Sequence, residues 1–263
     1  MHPYLDHDGP LAFAHRGGGP RGRENSAVAF ADAVSLGYRY LETDVHATVD
    51  GVLIAFHDTT LDRVTDRHGP VATQTWDELA RARIGGVDPI PRLDELVASF
   101  PSAHWNLDLK SDGAVAPIIS WMQRRPDLLE QVCIGSFVDR RLTAVRQALG
   151  WRVCTSAGPE EVRRLRLASL GGRLLDRMQL AADCLQIPPR HGRVPLLDET
   201  FLAAARRRGL PVHVWTINDP AEMEGVLDRG VDGIVTDETR HLRDVLRRRG
   251  AWPSGAAGVA AAK

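Results

Sequence analysis

Short apolar runs alternate with amphipathic segments along most of the chain, and those segments commonly end on a glycine, as at Gly37, Gly150 and Gly209. Short apolar runs are typical of buried strands, and helices that end on glycine are typical crossovers between parallel strands. The pattern therefore predicts an α/β protein with a parallel sheet. The predicted strands cover residues 11–14, 38–45, 52–56, 104–109, 132–135, 151–155, 183–187, 212–217 and 233–236.

One of these runs does not fit an eightfold repeat. Between residues 45 and 52 there is no room for a crossover helix, and the link contains the turn pair Asp50-Gly51. The run 52–56 is therefore predicted to return antiparallel to the second strand. Eight parallel strands remain, and they predict a (β/α)8 TIM barrel with a β-hairpin extension.

The rest of the chain is arranged around this barrel. Residues 1–10 are predicted to form an N-terminal tail and residues 11–250 a single barrel domain. The polar, glycine-containing stretch at about 58–91 is predicted to be a small insertion at the barrel mouth. Residues 251–263 lack periodicity, and we expect them to form a disordered tail.

The charge balance argues against nucleic-acid and membrane partners. With 33 basic and 34 acidic side chains the formal net charge is −1, so no broad positive field faces a phosphate backbone. The arginine clusters at 163–166, 206–208 and 247–249 lie in helix-like stretches, and we expect them on a solvated outer face. No apolar run approaches the ~18 residues of a membrane span. The first residues lack the pattern of a secretory leader, so we expect a cytoplasmic protein.

The three cysteines agree with a reducing location. Cys133, Cys154 and Cys184 are odd in number, far apart in sequence and without CxxC spacing, and each lies in a short apolar run. We expect them to be buried, reduced and packed as small apolar side chains.

Polar residues at strand ends are the first candidates for a site, because TIM barrels build their sites at the carboxyl ends of the strands. His15 and Arg16 follow the first strand and precede three glycines, which let a backbone approach a ligand that arginine can clamp. In the second strand Glu42 and Asp44 share one face. Two buried acids are tolerated mainly with a cation between them, and oxygen ligands favour Mg²⁺ or Ca²⁺.

The hairpin brings a second histidine to the same level. With the turn at residues 50–51 the two arms have similar lengths, so His57 returns to the level of the two acids. Histidine is the side chain best suited to proton transfer near neutral pH, and both histidines then face one acidic pair. His46 lies further along the hairpin, and we expect it on the hairpin surface rather than as a ligand.

Two later strands add a cation and an aromatic ring. Asp108 and Lys110 share a face at the end of the run 104–109, and Lys110 is the only lysine besides the terminal Lys263. An ammonium beside a carboxylate and a metal at the barrel mouth suits a phosphate oxygen. Trp215 alternates with an apolar neighbour, and we expect it to present an aromatic wall to an organic group.

An ordered series of motifs connects these residues with a known family. From about residue 12 to 240 the chain contains AHRGG with Glu24-Asn25-Ser26 following, then ETDVHATVDG, AFHDTTLDR, IPRLDEL, NLDLK, GSF, VWTIND and GVDGIVTD. Single pieces are weak signals, but the ordered set is highly specific. As a set they resemble the glycerophosphodiester phosphodiesterases.

The resemblance implies a TIM-barrel enzyme that hydrolyses a small-molecule glycerophosphodiester to sn-glycerol 3-phosphate and an alcohol, with one divalent cation, Mg²⁺ or Ca²⁺. Family analogy implies attack by the adjacent glycerol hydroxyl through a cyclic phosphate. By matching position, the implied roles are catalysis for His15 and His57, phosphate binding for Arg16 and Lys110, and metal binding for Glu42, Asp44 and Asp108.

Two positions depart from the family pattern. Asp108 stands where the family usually has the longer glutamate, which leaves its direct coordination of the metal open. After Asp237 the chain continues with Glu238 where the family often has proline, which affects a loop rather than the chemistry.

Two other functions stay open at this stage. One is a phospholipase D- or C-like hydrolase of lysophospholipids, which needs an apolar approach to the mouth. Trp76, Leu79 and Ile84 of the insertion could supply one, but their helical spacing is more typical of packing against the barrel. The other is a non-catalytic barrel that binds phosphodiesters, which the joint presence of both histidines and the acids disfavours. The leaving alcohol and the oligomeric state are left open.

Overall fold

Eight parallel strands form the centre of the part of the chain that the structure describes. The structure is a computed structural model, and it describes residues 1–19, 22–171 and 179–252. In chain order its strands are β1 (Leu11–His15), β2 (Tyr40–Ala47), β3 (Leu53–Ala55), β4 (Arg83–Ile84), β5 (Asp88–Pro89), β6 (His104–Leu109), β7 (Val132–Gly135), β8 (Cys154–Thr155), β9 (Leu185–Ile187), β10 (Arg190–His191), β11 (Val194–Pro195), β12 (Val212–Val214) and β13 (Gly233–Thr236).

The parallel strands close into a barrel, as predicted. Hydrogen-bonded neighbours run β8-β7-β6-β2-β1-β13-β12-β9. The two ends of this series meet where Ser156 and Cys184 form a parallel bridge, and the N–H of Asp183 donates to the carbonyl of Thr155 at 2.9 Å. The surplus strand β3 pairs antiparallel with β2, so the hairpin extension is also confirmed.

Helices between the strands cover the outside of the barrel. They are α1 (Ala27–Ser35), α2 (Trp76–Leu79), α3 (Leu93–Ser99), α4 (Val115–Arg124), α5 (Asp139–Leu149), α6 (Pro159–Gly171), α7 (Glu199–Arg206), α8 (Pro220–Asp228) and α9 (Thr239–Arg248). Polar caps start several of them: the Ser26 hydroxyl accepts the N–H of Ala29, and the Asp198 carboxylate accepts that of Phe201. None of the helices in the described residues has the length and apolarity that a bilayer crossing requires.

Alternation along the strands places the acids of β2 inside the barrel. Leu41 and Val45 point outward into the core between strands and helices. Because successive side chains of a strand face opposite sides, Glu42 and Asp44 point into the barrel, where Tyr40 also packs. The apolar layer outside the barrel therefore fixes which side chains can meet at its mouth.

Two strands, β8 and β12, are each three residues shorter than the apolar pattern predicts. Residues Gly150–Arg152 form a 3₁₀ turn in which Trp151 is 88% exposed, so β8 begins only at Cys154. An apolar side chain on a turn has the same sequence signature as the first residue of a strand. The run 212–217 likewise leaves the sheet after Val214.

The segments outside the repeat also pack against the barrel. The predicted N-terminal tail, residues 1–10, packs against the barrel, because the 3₁₀ turn Pro3–Leu5 buries Tyr4 completely in the barrel interior. The predicted insertion has its own apolar cluster around Leu61, Leu79 and Ile84. At the other end the ring of Trp252 packs edge-on against that of Tyr38, and residues 253–263 of the predicted tail lie outside the described residues.

Candidate active site

The structure brings all eight predicted site residues to one cavity. The cavity lies at the carboxyl ends of the barrel strands and has a volume of about 840 Å³. Strand β1 supplies the first histidine, β2 the two acids, the end of β3 the second histidine, and β6 an acid with the lysine after it. The predicted residues in its lining are His15, Arg16, Glu42, Asp44, His57, Asp108, Lys110 and Trp215.

Each histidine is held by a carboxylate at its Nδ1 atom. The distance from His15 Nδ1 to Asp237 Oδ1 is 2.6 Å, and that from His57 Nδ1 to Asp58 Oδ1 is also 2.6 Å. A carboxylate accepts a proton from Nδ1 and so leaves Nε2 as the nitrogen that faces a reactant. His15 Nε2 lies 3.8 Å from Glu42 Oε2 inside the cavity. The two rings are therefore oriented in the same way for proton transfer.

The charged groups around the two histidine–carboxylate pairs differ. Burial alone lowers the pKa of His15, but Glu42 and Asp237 outweigh burial and raise it above its usual value. The pKa of Asp58 falls to about 2, because Arg63 donates hydrogen bonds to this carboxylate and His57 adds a further one. Asp58 therefore stays ionised and continues to orient the His57 ring across the neutral pH range.

The two acids of β2 are both buried, but their surroundings shift their pKa values in opposite directions. Burial and the neighbouring Asp44 raise the pKa of Glu42 to about 7, although His15 opposes this. Burial also acts on Asp44, but Lys110 and Arg16 outweigh it and hold the pKa of Asp44 below its usual value. Asn25 supports this ionised state by donating from Nδ2 to Asp44 Oδ2 at 3.0 Å. Asp44 is thus a fixed negative charge at the centre of the site.

The two cations reach the same central carboxylate from opposite oxygens. Lys110 Nζ lies 2.9 Å from Asp44 Oδ1 and 2.6 Å from Asp108 Oδ2. Arg16 Nε lies 2.8 Å from Asp44 Oδ2, and its Nη1 lies 2.9 Å from Glu24. The lone internal lysine therefore joins the acids of β2 and β6, as a compact ammonium can.

The acidic residues have the chemistry of a hard-cation site. Asp44 and Asp108 are direct neighbours in the parallel register of β2 and β6, and Asp108 Oδ1 is buried without a hydrogen-bond partner. Glu42 completes a set of oxygen donors that suits Mg²⁺ or Ca²⁺. Within the described residues, the carboxylate oxygens of these three acids do not form one close group, because Lys110 Nζ lies between Asp44 and Asp108. The donor types fit a divalent cation.

An aromatic pair forms one wall of the cavity. The ring of Trp215 packs edge-on against Phe137 at 5.4 Å between centroids, and Lys110 Nζ lies 5.4 Å from the Phe137 ring centre. Phe137 is 58% exposed, and its wall is extended by Leu167 and Leu170 of α6, which are 51% and 65% exposed. The cavity therefore has one charged side and one apolar side.

Two expectations about neighbouring residues were wrong, and one alternative role is excluded. Leu79 and Ile84 are fully buried in the insertion's own cluster and Trp76 packs against it, so these residues have a packing role and supply no apolar approach to the mouth. Arg166, expected on the outer face, lines the cavity and pairs with Asp198. His46 is not on the hairpin surface but buried, with Nε2 3.1 Å from the carbonyl oxygen of His57.

Several residues of the site escaped the sequence reasoning. Asp58 and Asp237 were seen only as neighbours of strand ends, and Asn25 only as part of a motif. The contacts of Asp237 with His15 and of Asn25 with Asp44 join segments far apart in sequence, and spacing rules detect only local pairs. Two sequence signals were available: Asp237 stands at the carboxyl end of a strand, where barrel sites collect polar groups, and Asp58 directly follows His57 in the chain.

Residues 15–241 match the model of the glycerophosphoryl diester phosphodiesterase family. A probable glycerophosphodiester phosphodiesterase 2 of Mycobacterium tuberculosis is 38% identical over 252 residues, covering 95% of each chain.

Solved structures give the same fold. A putative glycerophosphoryl diester phosphodiesterase of Silicibacter pomeroyi superposes with a TM-score of 0.75 at 24% identity, covering 96% of this chain and 100% of the other. An Oleispira antarctica phosphodiesterase in complex with the product sn-glycerol-3-phosphate superposes with a TM-score of 0.71 at 22% identity, covering 91% and 97%.

Proposed function

Because the chain belongs to the glycerophosphoryl diester phosphodiesterase family and is an enzyme of that class, we propose that it hydrolyses glycerophosphodiesters to sn-glycerol 3-phosphate and an alcohol by acid/base catalysis with two histidines. The observation that carries this proposal is the pair of histidines, each with Nδ1 on a carboxylate, in one cavity with two cations and three acids. A solved protein of the same fold binds this product.

The two histidines divide the proton transfers between them. One Nε2 takes the proton of the attacking hydroxyl, from the glycerol of the substrate or from water, and the other donates a proton to the oxygen of the departing alcohol as its bond to phosphorus breaks. When the glycerol hydroxyl attacks, the product of this step is a cyclic phosphate, and water then opens the ring to sn-glycerol 3-phosphate with the two histidines in exchanged roles. His15 Nε2 lies 3.8 Å from Glu42 Oε2. His57 is held on the hairpin by the hydrogen bond of its ring to Asp58 and by the contact of its carbonyl oxygen with His46. Asp237 and Asp58 keep both rings in the required tautomer.

Arg16 and Lys110 neutralise the phosphodiester. Each cation already lies against Asp44, so a bound phosphate oxygen takes over part of an existing ion pair rather than ordering a free side chain. The backbone N–H of Arg16 donates to Glu42 Oε2 at 3.1 Å, which fixes the turn that carries the guanidinium. The charged side of the cavity is thereby organised before the substrate arrives.

The family generally depends on a divalent cation, and this chain offers Glu42, Asp44 and Asp108 to hold Mg²⁺ or Ca²⁺. A bound ion would withdraw negative charge from the phosphoryl oxygens. The three carboxylates lie on one side of the cavity, and this concentration of oxygen donors favours an added cation.

A substrate panel with and without chelator tests the proposal. We expect sn-glycerol 3-phosphate from glycerophosphocholine or a related diester, loss of activity with excess chelator, and recovery with Mg²⁺ or Ca²⁺. Absence of the product from every diester would refute the proposed reaction, and full activity after exhaustive chelation would refute the cation.

A second candidate activity is the hydrolysis of lysophospholipids. It is favoured by the exposed apolar side chains that continue the cavity beyond Phe137, namely Leu167, Leu170 and Val194. An acyl chain placed there buries apolar surface that the smaller diesters leave in water. We expect a Leu167→Ser/Leu170→Ser variant to lose about 10-fold in kcat/KM on a lysophospholipid and little on glycerophosphocholine. Val87→Ser, exposed in the insertion, is the control, and equal losses on both substrates would contradict this candidate.

We propose a cytoplasmic location. The three cysteines are all free thiols, as expected in a reducing compartment. The reaction products would connect the enzyme with lipid and glycerol metabolism. Fractionation of cells that make the full chain checks the location, and recovery of the protein outside the cytoplasmic fraction would contradict it.

A further inference from the structure

Three cysteines that are far apart in sequence meet inside the barrel, outside the active-site cavity. Cys133 lies on β7 and is the register partner of Cys154 on β8, while Cys184 precedes β9, the next strand around the barrel. All three are 0% exposed and belong to the apolar cluster of the barrel interior, with Tyr4 and Phe13. The expectation of buried cysteines is confirmed, but their convergence was not foreseen from the sequence.

The spacing of the sulfur atoms is that of metal ligands. All three Sγ atoms lie within 4.8 Å of one another, and Cys133 Sγ and Cys184 Sγ are 4.0 Å apart. Three sulfurs at about 2.3 Å from one tetrahedral zinc ion are separated from each other by about 3.8 Å. Rotations of side chains already in place would therefore close the set around an ion.

A fourth donor faces the thiols from the neighbouring strand β12. Val212 and Val214 point outward, so His213 points into the barrel, where it lies against Cys184. His213 is 0% exposed, and neither of its ring nitrogens has a hydrogen-bond partner. A buried imidazole without partners is costly, and a bond to a metal would remove that cost.

The surroundings hold the His213 ring in this place. A Cβ atom on Gly233 would lie 2.9 Å from His213 Cδ2, so only a glycine leaves room for the ring. The ring of Phe13 supports it from another side, with 4.9 Å between centroids. The Tyr4 hydroxyl, also buried and without a hydrogen-bond partner, adjoins the cysteines and is a donor for a thiolate.

We propose that Cys133, Cys154, Cys184 and His213 bind a structural zinc ion inside the barrel. Binding Zn²⁺ releases the three thiol protons and leaves His213 neutral, which gives a complex of net charge −1. Sulfur donors select zinc, whereas the oxygen donors at the barrel mouth select Mg²⁺ or Ca²⁺. The two sites would therefore not compete for one ion.

The ion would enter as the chain folds, because the thiols have no exposure in the folded protein. The test is to unfold the full chain with reductant and refold it with Co²⁺, with Zn²⁺ or with chelator. We expect one Co²⁺ per chain after desalting, a thiolate-to-cobalt charge-transfer band with tetrahedral d–d bands, and a higher unfolding midpoint for the Zn²⁺ sample than for the chelator sample. Refolded protein without the band and without retained metal would overturn the proposal.

Variants assign the ligands. Cys184→Ala should abolish the charge-transfer band, and His213→Phe should weaken Co²⁺ binding at least about 10-fold while keeping the ring volume. Val235→Ala, in the same apolar cluster, is the control for lost packing, and Asp44→Asn separates this site from the acidic one; both should keep the band. Equal metal binding by Cys184→Ala would overturn the proposal.

Zinc analysis of protein purified from cells grown with added zinc needs no refolding. We expect one zinc per chain that resists dialysis against chelator. Folded protein with no zinc above the buffer blank would overturn the proposal.

Discussion

Asp237 and His15 form a 2.6 Å hydrogen bond between Oδ1 and Nδ1, although one follows the last strand of the barrel and the other ends the first. Strands β1 and β13 are parallel neighbours, with Ala14 opposite Thr236, only because the barrel closes. Asn218 donates to the second oxygen of Asp237 at 2.9 Å and fixes the carboxylate. The orientation of the first histidine is therefore a product of barrel closure.

Replacing this carboxylate should impair turnover more than binding. We expect Asp237→Asn to lower kcat by about 10²–10⁴-fold with little change in KM, because an amide favours the wrong tautomer of His15. Steady-state kinetics on glycerophosphocholine checks this. Asp219→Asn makes the same change at the N-cap of α8 and should leave kcat unchanged. Equal kcat values for Asp237→Asn and the parent would remove Asp237 from the mechanism.

Lys110 should not be replaceable by arginine. Its ammonium lies between Asp44 and Asp108, and a guanidinium is too wide for that position. We expect Lys110→Arg and Lys110→Gln each to lose about 10²–10³-fold in kcat/KM. Lys110→Gln should also lower the free energy of unfolding by about 3 kcal/mol, because the buried Asp108 loses its ion-pair partner and Asp44 keeps only Arg16.

Arg92→Gln is the control for this experiment, because Arg92 pairs with Asp94 away from the active-site cavity. It should leave kcat/KM within about twofold, as expected for a surface substitution. Wild-type kcat/KM in Lys110→Arg would contradict the placement of the ammonium against the phosphate.

Asp198 should stabilise the fold in a pH-dependent way. Burial raises the pKa of Asp198, but hydrogen bonds from Arg166 and the N–H of Phe201 outweigh it and lower this pKa from 3.8 to about 2. A pKa that is lower in the folded state gives stability that is present above the ordinary pKa and lost as the pH falls toward 2. We expect Asp198→Ala to cost about 1–2 kcal/mol at pH 7, with the difference from the parent shrinking below about pH 4. Denaturant unfolding across this range measures it, and a difference that grows on acidification would contradict the assignment.

The sequence predicted the barrel and its site because both follow from local pattern. Alternation on β2 places Glu42 and Asp44 inside, and the turn at residues 50–51 returns His57 to their level. The lone internal lysine was also placed correctly in the cavity. What the pattern could not predict was the partner of each group.

Which residues pair with each other in the site depends on how the barrel closes and how side chains pack. The bonds of His15 to Asp237 and of Asn25 to Asp44 join different strands and loops, and no spacing rule connects them. The same limit applies to the cysteines, which have no motif spacing yet converge because β7, β8 and β9 are neighbours. Trp151 shows the opposite error, since an apolar residue on an exposed turn was assigned to a strand.

The central claim is that His15 and His57 carry out the proton transfers, and the kcat for sn-glycerol 3-phosphate release by single-alanine variants tests it most directly. His15→Ala and His57→Ala should each lose at least about 10²-fold in kcat. Their unfolding free energies should stay within about 1 kcal/mol of the parent, because both side chains lie at the mouth rather than in the core. His68→Ala, which removes an exposed histidine of the insertion, should keep full kcat. Parental kcat in either His15→Ala or His57→Ala would contradict the account.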